Sequence, residues 1–323
     1  MKPFDQLSHA GKMRRLHRIA MTALPRYGLV DASCTLLSAS TNAIFDVRSR
    51  AGARLALRIA TPGWRTLGDL QAEAMWLEAL ARDTDLCAPR IIRSIDDETV
   101  IVLETGITPA PLHVTLTTFL PGMLLGKRLN AANLWKMGAL FARLHQHGKA
   151  WQPSAGFTTR TFAHFLSRDE PNALIDAPTA IQQAIARVEA EYASLDRADL
   201  RVIHCDLWHD NIKLYRGALC PLDFEDTIWG FRLHDIAMAM LDLREEVGEA
   251  SYMHLLGCFH EGYTTLLDWP AGNLDALQAG RILWRMNYLK RHNPDFDERL
   301  MPFHVALMQR FLDNDALSAP LRP

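Results

Sequence analysis

Several things are scarce in this sequence, and each scarcity removes a class of function. The net charge is only −2 over 323 residues, so the chain has no electrostatic footprint for nucleic acid. No apolar run approaches the roughly 18 residues of a transmembrane helix, and no membrane partner is expected. The five cysteines, Cys34, Cys87, Cys205, Cys220 and Cys258, are odd in number and none forms Cys-x-x-Cys. A disulfide framework and a thiol-redox motif are therefore not implied, and a reducing cytoplasm is the expected location. His-Glu-x-x-His and Cys/His clusters are missing, so zinc is not implied. His145 and His147 stand two apart, on different faces of a helix, and make a poor metal pair. What is plentiful is apolar residues, at 49%, enough for a sizeable core and two lobes.

The most informative stretch is His204-Cys205-Asp206-Leu207-Trp208-His209-Asp210-Asn211, followed by Asp223-Phe224-Glu225. It has the spacing His-x-Asp-x-x-x-x-Asn, a short strand pair, then Asp-Phe, which is the catalytic-loop and metal-loop spacing of a kinase. The chemistry accounts for the spacing. One carboxylate, Asp206, must meet an acceptor hydroxyl. The amide oxygen of Asn211 can reach a metal ion from the same loop, and Asp223 supplies a second oxygen. Mg²⁺ prefers oxygen ligands and keeps waters, so two protein oxygens plus phosphates suffice. Leu200 to Ile203 is a short apolar lead-in. Ile212 to Tyr215 and Ala218 to Leu222 read as strands joined at Arg216-Gly217, a hairpin that would set Asn211 beside Asp223.

With Asp223-Phe224-Glu225-Asp226 and Leu233-His234-Asp235-Ile236-Ala237 added, the chain resembles the aminoglycoside phosphotransferase and choline kinase-like enzymes, from about Thr35 to beyond Asp235. The resemblance implies an α+β, protein-kinase-like fold of two lobes. Residues 1–121 would form a small β-rich nucleotide-binding lobe with a leading helix, and 122–323 a larger, mostly helical lobe for catalysis and acceptor binding. It also implies ATP, with GTP not excluded, and Mg²⁺. His204 is expected to scaffold the loop by bonding backbone carbonyls, and Asp235 to cap a helix and brace the loop. The family usually has Gly where this chain has Cys205, and a small or proline-containing segment in place of Trp208-His209-Asp210. Those departures bear on the substrate more than on the reaction.

In the first lobe, Cys34–Ser38, Ile44–Arg48 and Leu55–Ile59 read as three strands. No Gly-x-Gly-x-x-Gly lies between the first two, so Ser40, Thr41 and Asn42 would have to offer hydroxyls and backbone N–H groups to phosphate. Protein kinases carry a Lys on the third strand, pinned by a helix Glu. Here Arg58 stands there, and the helix from Leu67 to Ala81 offers Glu73, the expected partner. Leu112 to Phe119 is a strand ended by Leu120-Pro121-Gly122. In the kinase fold this segment meets the adenine, so Phe119 and Leu120 are candidate main-chain contacts. The basic, amphipathic Lys12 to Ala20 could be a mitochondrial presequence or a surface helix, and is expected instead to pack on the first lobe. Helices are further expected over Leu134–His145, Ile236–Leu243, Tyr252–Leu267, Leu277–Tyr288 and Met301–Leu312.

Two functions stand side by side. The first is phosphoryl transfer to a hydroxyl of a small metabolite or antibiotic. Carboxylates after the metal loop favour an amine-bearing one, with Asp226 and Trp229 facing it and Glu245, Glu246 and Glu249 left on a solvated face. The second is a serine/threonine protein kinase, against which stand the eleven residues between Asp223 and Asp235 and the missing Ala-Pro-Glu. A nucleotide-binding pseudokinase is a lesser alternative, opposed by the complete Asp206, Asn211 and Asp223 set. Acceptor identity, nucleotide base and oligomeric state stay open.

Overall fold

The computed structural model describes residues 4, 6–39, 41–106, 110–162, 164–166, 170–293 and 295–322. They divide into two compact units, one of Met1–Gly122 with Gln152–Thr158, the other of Met123–Trp151 with Thr159–Pro323. No helix among the described residues is long and apolar enough to cross a membrane.

The first unit is a five-stranded antiparallel sheet with two helices, one leading it and one following its third strand. Its elements are α1 (His9–Ala23), β1 (Ser33–Ala39), β2 (Ala43–Arg48), β3 (Arg54–Ile59), α2 (Leu67–Asp83), β4 (Ile101–Leu103) and β5 (Leu112–Thr118), with strand order β1-β2-β3-β5-β4. The alternation of Phe45 and Val47 on β2, and of Leu55, Leu57 and Ile59 on β3, puts one face in the core. Ile19, Ala20 and Ala23 of α1 pack into the same core. The basic N-terminal segment is thus a structural helix of this unit. Helix α2 begins with a complete capping box, Thr66 accepting from Asp69 N and Asp69 returning the bond to Thr66 N. Leu70, Ala74 and Leu77 bury one stripe of it, and Glu73 lies buried on the same stripe.

The second unit contains β6 (Met123–Leu124), α3 (Ala131–Ala150), α4 (Thr179–Ser194), β7 (Arg201–Ile203), β8 (Ile212–Tyr215), β9 (Ala218–Pro221), β10 (Ile228–Gly230), α5 (Arg232–Val247), α6 (Glu249–Thr264), α7 (Leu274–His292), α8 (Phe296–Arg299) and α9 (Met301–Asn314). β8 and β9 form the expected hairpin, with Ile212 opposite Pro221. Its two turn residues both have positive φ, 50° at Arg216 and 82° at Gly217, as a twisted two-residue hairpin demands. β10 pairs with β7 and places Trp229 opposite Val202. The sequence reading did not include α4, although Ile181, Ala184, Val188 and Tyr192 carry a helical stripe into the core with α7 and α9.

Helices α3 and α6 cross so closely that backbone meets backbone. A Cβ at Gly262 would overlap the carbonyl of Trp135, and one at Gly138 the carbonyl of Phe259. Gly262→Ala is therefore expected to destabilise by about 3 kcal/mol, because neither chain can withdraw. Gly257→Ala on the same helix meets nothing within 4 Å and should be neutral or stabilising by up to about 1 kcal/mol through helix propensity. Calorimetric melting of the pair checks this, and equal melting temperatures would refute the crossing.

Candidate active site

The loop after β7 is held in place by buried polar groups. His204 is fully buried, donates from Nε2 to the carbonyl of Leu222 at 2.8 Å and accepts the amide of Asp206 on Nδ1 at 3.4 Å. Burial lowers its pKa, so the neutral ring with one donor and one acceptor fits both bonds. The ring also packs on Phe224, with centroids 4.5 Å apart. The residues on either side of Asp223 are thereby tied to the first residue of the catalytic loop.

Cys205 comes next, with φ of 68°. This left-handed conformation favours glycine and costs a side-chain-bearing residue about 1–2 kcal/mol. It explains why a glycine suits this position. The conformation is fixed from below: Cys205 N donates to Asp235 Oδ1 at 2.6 Å, and Asp235 Oδ2 accepts from His145 Nε2 at 2.9 Å. The hydroxyl of Tyr263 donates to His145 Nδ1 at 3.0 Å. Burial works to raise the Asp235 carboxyl, but the bond from His145 and the Cys205 amide hold it below its ordinary value. Asp235 does not cap α5 as expected. The cap position is Phe231, without a side-chain bond, and Asp235 sits one turn inside, facing the loop.

At the loop itself, Asn211 Nδ2 donates to the Asp206 carbonyl at 2.8 Å and to its Oδ2 at 3.0 Å. The backbone continues the connection, Leu222 N donating to Asn211 O at 2.8 Å. Asp223 has φ of 57° and ψ of 65°, so a second side-chain-bearing residue is held left-handed at the site. Arg281 Nη2 approaches Asp206 Oδ1 at 3.5 Å, and Arg160 Nη2 approaches Asp226 Oδ1 at 3.4 Å. The Asp206 carboxyl is pushed well above its usual range, first by burial and then by Asp226, with Asp223 and Asp242 adding and Arg281 opposing. A carboxylate so placed is a better proton acceptor than a free one.

Within the first unit, Arg58 of β3 forms an ion pair with Glu73 of α2, both side chains mostly buried. Asn42 turns its side chain into the fold, Oδ1 accepting from Thr61 N at 3.2 Å, and Thr41 O accepts from the Thr61 hydroxyl. These two residues brace their own turn; Ser40 lies outside the described residues. The Phe119 amide donates to Arg54 O at 3.2 Å and its ring stacks under the Arg54 guanidinium, 3.5 Å from the centroid. That amide is engaged with the sheet rather than open to a base. Glu245 is not on a solvated face, because Arg285 and Arg322 both bind it.

Three residues that matter to the site escaped the sequence. His145 reads in sequence as part of a helix packed behind the catalytic loop and as a poor metal ligand, yet a histidine within the apolar stripe of Phe141 and Leu144 signals a buried partner. Arg160 and Arg281 lie in stretches where a cation is ordinary, and nothing local marked them.

The buried histidines set a pH dependence. His234 receives the Tyr192 hydroxyl on Nδ1 at 2.6 Å, and burial lowers its pKa to about 4. Its folded value lies below the unfolded one, so its contribution is complete above about pH 6.5 and is lost as pH falls toward 4. Stability measured by urea unfolding should drop by roughly 3 kcal/mol over that interval from this group alone. A flat profile between pH 6.5 and 4 would show that these rings are not held neutral.

A small antiparallel sheet bearing a buried arginine–glutamate pair, with a helical unit bearing the His-x-Asp-x-x-x-x-Asn loop and the Asp-Phe turn, defines a kinase-like phosphotransferase. The chain belongs to the phosphotransferase enzyme family APH, which residues 34–269 match. Solved structures share the fold. The microcompartment-associated aminopropanol kinase is 21% identical, covers 93% of this chain and 99% of its own, and superposes with a TM-score of 0.73. The amicoumacin kinase hAmiN, solved with AMP-PNP, Ca²⁺ and Ami, is 16% identical over 97% of this chain and 98% of its own, with a TM-score of 0.76. A choline/ethanolamine kinase family protein from Mesorhizobium loti is 18% identical over 94% and 95%, with a TM-score of 0.61. No curated protein matches the sequence.

Proposed function

We propose that the enzyme moves the γ-phosphoryl group of ATP to a hydroxyl of a small, amine-bearing molecule, with Asp206 as the base. The observation that carries this reading is the Asp206 carboxylate, fixed by the Asn211 amide at 3.0 Å, whose proton affinity is raised first by burial and then by Asp226. The acceptor oxygen attacks phosphorus, its proton passes to Asp206, and the bond to the leaving diphosphate breaks. Because the transition state is loose, positioning by the braced loop matters more than proton affinity alone.

Asn211 and Asp223 would hold Mg²⁺. The donor set fits: Asn211 commits its nitrogen to Asp206, which leaves its oxygen for a cation. Among the described residues no group of three His, Cys, Asp or Glu side chains is placed to hold a metal, which suits an ion completed by phosphates and waters. When bound, Mg²⁺ neutralises charge on the transferring phosphates. Arg58, pinned by Glu73, would contact phosphate. Leu120 would meet the base through its main chain, and Thr41 and Asn42 would shape the turn beside it. Asp226 and Trp229 would face the acceptor.

A protein substrate is disfavoured by one observation. The eleven residues between Asp223 and Asp235 are consumed by a 3₁₀ turn, β10 and the first turn of α5, leaving no segment to dock a peptide. The test is ADP release from Mg·ATP with a panel of hydroxylated amines, their neutral analogues and generic peptide substrates. Amine-bearing alcohols should give the highest kcat/KM. A peptide that outcompetes all of them would establish the protein-kinase alternative instead.

A further inference from the structure

A cavity of about 430 Å³ lies wholly within the first unit, between α1 and the sheet. Its floor is apolar: Ile19 of α1, Ala43 of β2, Ile59 of β3 and Leu112 of β5 are each at most 4% exposed. Its mouth is polar, with His9 and Thr61 exposed and Lys12 half-buried. The rim is already formed, since Thr61 N donates to Asn42 Oδ1 at 3.2 Å and the Thr61 hydroxyl donates to Thr41 O. The charge at the mouth is of one sign. No acid stands among the lining residues, and α1 carries Lys12, Arg14, Arg15 and Arg18 without any Asp or Glu. The Lys12 ammonium lies 5.9 Å from the centre of the Phe4 ring, which also lines the cavity, and makes no hydrogen bond or ion pair among the described residues. This cavity is apart from the Arg58 side of the sheet. Along β3, Leu55, Leu57 and Ile59 face the core shared with α1, whereas Arg58 pairs with Glu73 of α2.

We propose that this cavity binds a small amphipathic anion, an apolar chain ended by a carboxylate, at a place separate from the active site. The chain lies against Ile19, Ala43, Ile59 and Leu112, and the carboxylate meets Lys12. Close-packed interiors hold few voids larger than a water molecule, and this one has the volume of a small-molecule site. A wholly apolar ligand leaves Lys12 without a counter-charge, and a wholly polar one leaves the floor uncovered. A molecule with one end of each kind satisfies both. Lipid surfaces offer the same chemistry, but α1 turns Ile19, Ala20 and Ala23 into the core of its own unit. The apolar chain must therefore enter the cavity as part of a free molecule.

The test uses the full chain with octanoate, 1-octanol, octylamine and acetate, each below its micelle concentration. Binding is measured by titration calorimetry, with and without Mg·ATP. Octanoate should bind one to one and at least tenfold more tightly than any of the other three. It should still bind one to one when Mg·ATP is present, because the two sites are separate. Lys12→Gln should abolish the advantage of octanoate over 1-octanol. Ala39→Trp, at an exposed position in the cavity wall, should fill the cavity and abolish octanoate binding, while the thermal shift with Mg·ATP stays as in wild type. Lys12→Gln keeps the test decisive should the tryptophan variant misfold. Equal binding of octanoate and 1-octanol, displacement of octanoate by Mg·ATP, or unchanged binding in both variants overturns the proposal. Retention on phosphatidylglycerol vesicles without one-to-one binding of octanoate also overturns it, and would make α1 a helix that reads a lipid surface.

Discussion

Asp206→Asn is expected to lower kcat by roughly 10²–10⁴-fold, the usual loss when a positioned general base is removed, while leaving the protein as stable as wild type or more so. The stability half of this expectation comes from the electrostatics. The folded state raises the Asp206 carboxyl, through burial and then through Asp226. An ionised group whose proton affinity rises on folding opposes folding at neutral pH, so the neutral amide relieves that opposition. The geometry survives, because Asn211 still donates to the main-chain carbonyl of residue 206 at 2.8 Å. Loss of activity with a gain in melting temperature separates a functional carboxylate from a structural one. Steady-state ADP release and calorimetry on one preparation check both halves. A variant that keeps near-normal turnover would remove Asp206 from the chemistry, and one that melts well below wild type would make it a scaffold residue.

The same reasoning runs in reverse for Asp235, and the contrast shows what could be read from sequence. Both are aspartates in short motifs, and both were marked out by spacing. Spacing tells that a loop must present one carboxylate, but not which way the second one faces. Asp235 was expected to cap a helix, because aspartate near a helix start usually does. Its actual partners, Cys205 N and His145 Nε2, lie 30 and 90 residues away in the chain, and no local pattern announces a contact of that range. The hairpin of β8 and β9 was legible because strand alternation and a turn with positive φ are local properties. Helix α4 was passed over although its stripe is equally local, for its alanines dilute the apolar signal.

The Arg58–Glu73 pair was legible for a different reason. The kinase pattern of a third-strand cation pinned by a helix glutamate named both positions, and the two side chains do pair. Arg281 had no such mark. Its role follows only from α7 bringing it to within 3.5 Å of Asp206, a consequence of packing that chain-local reasoning does not reach.

Asp223→Asn is expected to abolish stabilisation by Mg·ATP while leaving the protein folded. The choice of asparagine matters. Asp223 has φ of 57°, a conformation that aspartate and asparagine tolerate and that alanine adopts at a cost of about 1–2 kcal/mol. Alanine would therefore mix a folding defect with loss of the ligand, whereas asparagine removes the charge and keeps the backbone. In wild type, Mg·ATP at 100 times its dissociation constant should stabilise by about 2.7 kcal/mol. On the proposed reading, in which Asn211 and Asp223 would hold the cation, the variant would leave it without the charged one of its two protein ligands. The shift with Mg·ATP should fall to that given by ATP with EDTA, and raising Mg²⁺ tenfold should recover only part of it. Differential scanning fluorimetry over a Mg²⁺ series decides the matter. An unchanged Mg·ATP shift in Asp223→Asn would take this residue out of the metal site and leave Asn211, whose nitrogen is already committed to Asp206, without a partner for the ion.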